Sequence, residues 1–376
     1  MGANNAVGAA ALELGDNQTD CVNFASRCAM SSFALPTLPD RIADTTELDD
    51  LMTLPSAELT RDLARVDGDL MVLGVGGKMG PSLARMAKRS APQKRVIGVA
   101  RFSDAHLRER LEAAGIECLS CDLLDRAAVD RLPRVSNIIF MAGHKFGATD
   151  KTAYTWAMNV GVPYVVAEVF RAARIVAFST ACVYPYVDVC GAGATEETPT
   201  RPPPGDYAAS CVGREQMFLF GSERYGTPGR LLRLSYAIDL RYGVLHDVAR
   251  CVHEGQPVDI TTGHVNVIWQ GNANEQALRL LAHCTTPTSP LNVSGPEKVS
   301  VRWLAEQFGD RFRKAPRLVG NEAKNAWLID TTAARQLFGP PRVPLDKMVD
   351  WVADWVARGE PSLGKRTHFE VRDGHY

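Results

Sequence analysis

Short apolar runs alternate with stretches of helical period along most of the chain. Leu70–Leu73, Arg95–Ala100, Ile116–Leu119, Asn137–Met141, Ile175–Ser179 and Leu231–Leu234 are rich in Val, Ile and Leu and read as strands. Between them Pro81–Arg89, Ala105–Ala114, Tyr154–Ala173 and Tyr207–Tyr225 carry the period of helices. The strands are largely apolar throughout, as they are when both sheet faces are covered. The pattern therefore predicts an α/β fold, a doubly wound parallel sheet. After Tyr236 the order loosens, with helices expected at Val244–Glu254, Ala273–Leu281, Val301–Phe308 and Leu345–Ala357, as in a smaller second lobe. Ahead of the first strand, Leu48, Leu51, Leu54, Leu59 and Leu63 predict a helical segment from Thr46 to Arg65, broken at Pro55. The expected divisions are 1–45 a loose extension, 46–67 a helical cap, 68–236 the sheet domain and 237–376 mainly the second lobe. The end after Gly364 is polar and expected to be peripheral.

Composition narrows the partners. Of 376 residues, 45% are apolar and 23% charged, which excludes a disordered, collagen-like or coiled-coil chain. No run of eighteen apolar residues occurs, so no membrane span is expected. The net charge of −1 suggests neither nucleic acid nor an anionic membrane as partner. The first fifteen residues hold no Lys or Arg, which argues against a secretory signal. Nine scattered cysteines form no disulfide framework and read as reduced thiols of a cytoplasmic protein. Cys118 and Cys121 have CxxC spacing but no second pair. Eight histidines are dispersed without ligand spacing, so no metal is expected.

The first strand runs into Gly74-Val75-Gly76-Gly77-Lys78-Met79-Gly80, and a helix follows. The first glycine suits a tight turn, the middle ones let a pyrophosphate approach the backbone, and the last lets helix and strand pack closely. The helix N-terminus attracts the anion. Strand, loop, helix and second strand in this order predict a dinucleotide site. A site for NAD places an acid at the end of the second strand. Here that end reads Val99-Ala100-Arg101-Phe102-Ser103. Arg101 pairs with a 2′-phosphate, which favours NADP over NAD, or else stacks on the adenine or is solvated. Asp122, beside Leu123 after the third strand, meets the adenine amino group or caps a helix.

Together these features resemble the extended short-chain dehydrogenase/reductase superfamily, of the NAD-dependent epimerase/dehydratase type, from roughly Asp69 to Ala357. Ile138-Ile139-Phe140-Met141-Ala142-Gly143 is similar to the family's fourth strand and the Ala-Gly after it. Lys145 falls near a lysine that contacts the cofactor in UDP-galactose 4-epimerases. Asn159-Val160-Gly161 is similar to the Asn-containing segment of the next helix. Phe178-Ser179-Thr180-Ala181-Cys182-Val183-Tyr184 looks like the family's Ser-Ser-x-x-Val-Tyr, which puts Thr180 at the catalytic Ser/Thr position. Leu291–Pro296 with Val299-Ser300-Val301 is similar to the late strand, turn and helix. The resemblance implies a Rossmann-type sheet with a smaller C-terminal substrate-binding lobe. It implies cofactor contacts from Gly74 to Gly80, from Arg101, Ser103, Asp122 and Leu123, and from Ala142, Gly143, Lys145 and Asn159. Substrate contacts would come from Thr180, Tyr184, Ser235, Tyr236 and Arg241.

One departure bears on chemistry. The family's Tyr-x-x-x-Lys reads Tyr207-Ala208-Ala209-Ser210-Cys211, with Glu215 following the family pattern. No tyrosine in the chain has lysine four residues later, and no lysine occurs between Lys151 and Lys298. A phenol is a poor base at neutral pH, and the family's lysine lowers its pKa with a nearby positive charge. Three readings stay open: Tyr207 works with help from the nicotinamide charge and Lys145, Cys211 takes a chemical part, or the protein binds nucleotide without redox chemistry. As a general acid Tyr207 loses less, which tilts the expectation toward reduction or an intramolecular oxidation–reduction.

On the substrate side, Arg241 and Tyr242 hold an anionic or hydroxylated ligand or lie on a solvated loop. His264–Gln270 contacts substrate or builds the lobe core. The loop from Pro185 to Pro204 is placed to cover the site. The expected function is an epimerase, dehydratase or reductase acting on a small-molecule sugar, nucleotide-sugar or sugar acid. The alternative is a nucleotide-binding regulator or scaffold. The resemblance further implies a homodimer formed through Tyr154–Ala173 and Tyr207–Tyr225.

Overall fold

A computed structural model describes residues 38–145, 147, 148 and 150–372. The extension expected over 1–45 lies for the most part outside them. The central sheet has seven strands, β1 (Leu70–Leu73), β2 (Val96–Ala100), β3 (Glu117–Ser120), β4 (Asn137–Phe140), β5 (Arg174–Thr180), β6 (Gly229–Leu234) and β7 (Ser289–Val293). They run in the order β7-β6-β5-β4-β1-β2-β3, and every pairing is parallel. The expected doubly wound Rossmann-type sheet is therefore present. Strand order reverses between β1 and β4, which opens a crevice at their carboxyl ends. Alternate residues feed opposite layers. Val72, Ile139 and Val176 pack with Leu83, Ala84 and Ala277 on one face. Met71, Leu73, Ile138 and Phe140 pack with Val166 and Phe218 on the other.

β7 comes from the chain beyond Tyr236 and pairs with β6, Leu291 opposite Leu232. The helix Gln270–Arg279 likewise returns to the sheet layer, where Gln270 and Asn274 donate to Ser82 Oγ at 3.0 and 2.9 Å. The second lobe has its own core of Val248, Leu304, Phe308, Trp351 and Trp355. The cap is two helices, Thr45–Met52 and Ala57–Ala64, capped by Asp44 and Ser56 on either side of the break at Pro55. The first buries Leu48 and Met52 in the lobe core, the second Leu59 and Leu63 in the sheet core.

The single helix expected over Tyr154–Ala173 is not continuous. It runs as Thr152–Trp156, a π turn at Ala157–Gly161, and Val162–Val169. Pro163 has no N–H to donate to the carbonyl of Asn159, so the regular ladder fails there. The π turn carries Asn159.

Candidate active site

A cleft of about 1630 Å³ runs from the glycine loop to the second lobe. Its floor is the loop after β1. A Cβ on Gly74 would lie 2.6 Å from the Ala142 nitrogen, and one on Gly80 would run into the Val75 carbonyl. At both positions the backbones touch, so only glycine fits. At Gly77 the nearest atom to such a Cβ is 3.5 Å away, which leaves room on the cleft side. No side chain caps the following helix, Gly80–Ser90. Its first N–H groups and the loop thus form a cradle that fits a dinucleotide pyrophosphate.

The expected residues divide by place. Gly74, Gly76, Gly77, Lys78, Met79, Gly80, Gly143, Lys145, Thr180, Tyr207, Ser235, Tyr236 and Arg241 line the cleft. Arg101 and Ser103 are exposed beyond β2, and Arg101 Nη1 lies 3.5 Å from the Tyr154 hydroxyl. Asp122 turns back on its own chain, accepting from Leu124 N at 3.0 Å, and Leu123 is buried. Ala142 is buried behind Gly74.

Three residues, Asn159, Tyr184 and Cys211, sit behind the cleft wall instead of on it. The Asn159 amide is spent on protein: Oδ1 accepts from His144 N at 2.8 Å and Arg214 Nη2 at 2.7 Å, and Nδ2 donates to His144 O and Ser210 Oγ, both at 2.9 Å. Tyr184 is 1% exposed, donating to Asn292 Oδ1 at 2.8 Å and accepting from Arg233 Nη1 at 2.6 Å. Arg241 reaches the cleft, but its guanidinium is held by Asp239 at 2.8 Å and Asp49 at 3.0 Å. Cys211 is fully buried against Tyr207, and burial pushes its thiol up to about 11, so it is neutral.

Thr180 closes β5. Its Oγ1 accepts from Cys182 N at 3.2 Å, and the residue lines the cleft. Tyr207 opens the helix Asp206–Tyr225, and Lys145 Nζ stands 5.5 Å from its ring centroid. Burial first, then the neighbouring Cys211 and Cys182 thiols, holds the phenol well above its ordinary value, so it is protonated at neutral pH. Burial lowers Lys145. Lys78 Nζ sits 3.2 Å over the Tyr242 ring, across the cleft, and burial with Lys145 and Lys365 nearby brings it to about 7.

Beneath this wall Glu215 and Arg233, 2% and 5% exposed, form a two-pronged ion pair at 3.0 and 2.7 Å, with Ser179 Oγ donating to Glu215 Oε1 at 2.5 Å. It ties the Tyr207 helix to β5 and β6.

Two expectations about the cleft roof are corrected. The Pro185–Pro204 loop does not line it. Its Val187–Asp188 pairs with Asn325–Ala326, and Ala194 exchanges hydrogen bonds with Leu328 and Asp330 at 2.8 Å. The cleft instead meets Trp327 and the supposedly peripheral C-terminal stretch, through Pro361, Leu363, Lys365 and Thr367. Leu363 N donates to Arg241 O at 3.0 Å, and Thr367 donates to Asp247 through N and Oγ1 at 2.8 and 2.6 Å. His264–Gln270 belongs mostly to the lobe core, Trp269 stacking edge-on with Trp351 at 5.5 Å, and only Gln270 reaches the cleft. Trp327 and Lys365 carry no local signal in the sequence. Cys118 and Cys121 are buried thiols, and no metal-ligand cluster occurs among the described residues.

The chain is similar to several solved structures. The Thermus thermophilus UDP-glucose 4-epimerase complexed with NAD aligns at 18% identity over 76% of this chain and 98% of that one, TM-score 0.63. The dTDP-glucose 4,6-dehydratase DesIV from Streptomyces venezuelae, with NAD bound, aligns at 18% over 77% and 97%, TM-score 0.66. MoeE5 in complex with UDP-glucose and NAD aligns at 20% over 77% and 99%, TM-score 0.63. At these identities the likeness shows the fold. No curated protein matches the chain. The model of the NAD dependent epimerase/dehydratase family matches residues 70–274, more than half of the chain, and the protein is an enzyme belonging to that family.

Proposed function

We propose that the protein is a nicotinamide-dependent epimerase or dehydratase of a nucleotide-linked sugar, with Tyr207 as its acid–base group. The observation that carries this is the convergence of the glycine cradle, Thr180 and Tyr207 on one cleft of about 1630 Å³. A site for one small ligand is roughly 300–1,000 Å³, so this cleft has room for a dinucleotide and a second nucleotide. Bound nicotinamide supplies or accepts the hydride. Gly76, Gly77 and the open helix end hold its pyrophosphate. Arg101, exposed at the end of β2 where an NAD site places an acid, favours NADP. Thr180 donates to the substrate oxygen, and Tyr207 passes it a proton. A half-buried, protonated phenol suits the step in which a sugar ketone regains its hydroxyl. Tyr236, Trp327 and the C-terminal stretch keep water from the reacting carbon.

The test begins by denaturing fresh protein and identifying released nucleotide by mass spectrometry. The loaded protein is then given UDP-glucose and dTDP-glucose and followed for epimer, 4-keto-6-deoxy product and 340 nm absorbance. Bound NAD or NADP with turnover that Tyr207→Phe abolishes supports the reading. Protein that binds neither dinucleotide, or a Tyr207→Phe variant with undiminished turnover, overturns it.

The same reading includes a homodimer. Tyr164 and Phe220, each 44% exposed, stack at 6.5 Å on the two helices expected to pair, an apolar patch suited to a second copy.

A further inference from the structure

Tyr207, Cys211 and Arg214 stand at i, i+4 and i+7 along one side of one helix, Tyr207 half-buried at the cleft and the other two buried. Arg214 is 7% exposed, and a buried cation is costly unless a carboxylate answers it. Its partners are neutral. Nη1 donates to the Phe178 carbonyl at 3.0 Å and Nη2 to Asn159 Oδ1 at 2.7 Å, while Nε has no hydrogen-bond partner. The adjacent Glu215 is committed to Arg233.

The position of the guanidinium follows from those anchors. A helical side chain leans toward the helix N-terminus, here toward Tyr207. The Asn159 amide that holds the guanidinium also holds Ser210 Oγ, at the start of the helix's second turn. Phe178 lies two residues before Thr180 in β5. A Cβ on Gly143 would collide with Arg214 Nη2, so the group sits directly behind the Ala142-Gly143 turn.

We propose that Arg214 is the electrostatic partner of Tyr207, its guanidinium supplying from behind the cleft wall the positive charge that the helix lacks at Cys211. The proposal rests on Tyr207 being the acid–base group. The charge of Arg214 acts on Tyr207 and Cys211 alike, drawing both down against burial that pushes both up. Lys145 approaches the same ring from the cleft, but burial draws its pKa down, whereas a guanidinium stays charged at any working pH. Asn159 is then a positioning residue, holding Arg214 in place while fixing the His144 backbone. An arginine so anchored does not reach the cleft, so it replaces the charge of the missing lysine and not its grip on a ribose.

The test places 2,3,5-trifluorotyrosine at position 207 and follows its phenol by fluorine NMR against pH, without substrate or cofactor. Removing a close cation raises a phenol by roughly one unit or more. The midpoint is expected to rise by about that much in Arg214→Met and Arg214→Gln, the second keeping a donor for the Phe178 carbonyl. It stays near wild type in Arg214→Lys, and Cys211→Lys added to Arg214→Met brings it back. An unchanged midpoint in either folded neutral variant overturns the proposal. So does an equal rise in Arg214→Lys, which would mean that hydrogen bonding and not charge sets the phenol. Turnover undiminished by Tyr207→Phe would instead sink the acid–base reading while leaving this titration as it is.

Discussion

Lys78 is expected to link cofactor binding to proton uptake. It lies in the glycine loop with its ammonium over the Tyr242 ring, and desolvation, then Lys145 and Lys365, lowers it to about 7 against the opposing pull of Asp247. A pyrophosphate in the cradle brings negative charge beside it and returns it toward the ordinary lysine value near 10.4. At pH 7.5 about a quarter of the unliganded protein carries the Lys78 proton, so binding takes up roughly three-quarters of a proton. From pH 7 to pH 9 the affinity should fall about fifty-fold, or about 2.3 kcal/mol.

Titration calorimetry of NADP and NAD at pH 7.5, in phosphate and in Tris, measures this uptake directly. In Lys78→Met the uptake should approach zero and the affinity become flat with pH. Wild-type uptake below about 0.2 proton, or an equal pH slope in the variant, refutes the reasoning. Stability moves with pH in the opposite direction to affinity. The folded value lies below the unfolded one, so between pH 7 and about 10 the unfolded chain binds more protons and this group makes stability rise with pH. Lys78→Met should remove that rise from a thermal-melt series.

Other perturbations test other parts. Arg233→Met strands the Glu215 carboxylate in the interior and should cost about 3–5 kcal/mol, lowering Tm by roughly 4–7 °C in a chain of this size. Glu215→Leu with Arg233→Met should recover much of that loss in calorimetry. Phe220→Glu should turn a dimer into a monomer by light scattering, and a wild-type monomer would refute the proposed interface. Thr367→Val removes a 2.6 Å hydrogen bond to Asp247 that anchors the C-terminal stretch. Nucleotide release in stopped flow should quicken by up to about tenfold, with little change in Tm.

The sheet was legible because its strands are apolar on both faces and are separated by helices with clear periods. Six of its strands fall within a residue or two of their apolar runs. β7 was legible only through the resemblance carried by Leu291–Pro296 and not as an apolar run, because its Ser289 and Pro290 are polar or turn-forming, and its place beside β6 is a long-range pairing. The break at Pro55 was legible from the backbone chemistry of proline, but the π turn at Asn159 was not, although Pro163 creates it. The glycine loop, Thr180 and Tyr207 were legible because each stands in a local strand–turn–helix frame. The roof was not: Trp327 and Lys365 reach the cleft through tertiary hydrogen bonds that leave no period or spacing in the chain.

Cys211 and Arg214 show both sides of that limit. A missing lysine is visible as a gap in a motif, and a gap invites the conclusion that the charge is gone. The compensating charge stands three residues later, inside a run that reads only as amphipathic helix. Its stripe with Tyr207, at i and i+7, is present in the sequence. What the stripe does not encode is that Glu215, one residue on, turns to Arg233 and leaves Arg214 to two neutral partners. Had Glu215 answered Arg214, the pair would have been neutral and Tyr207 would have faced no net charge from this helix. The partition of one carboxylate between two arginines thus decides the electrostatics of the site, and packing of β5, β6 and the helix sets that partition.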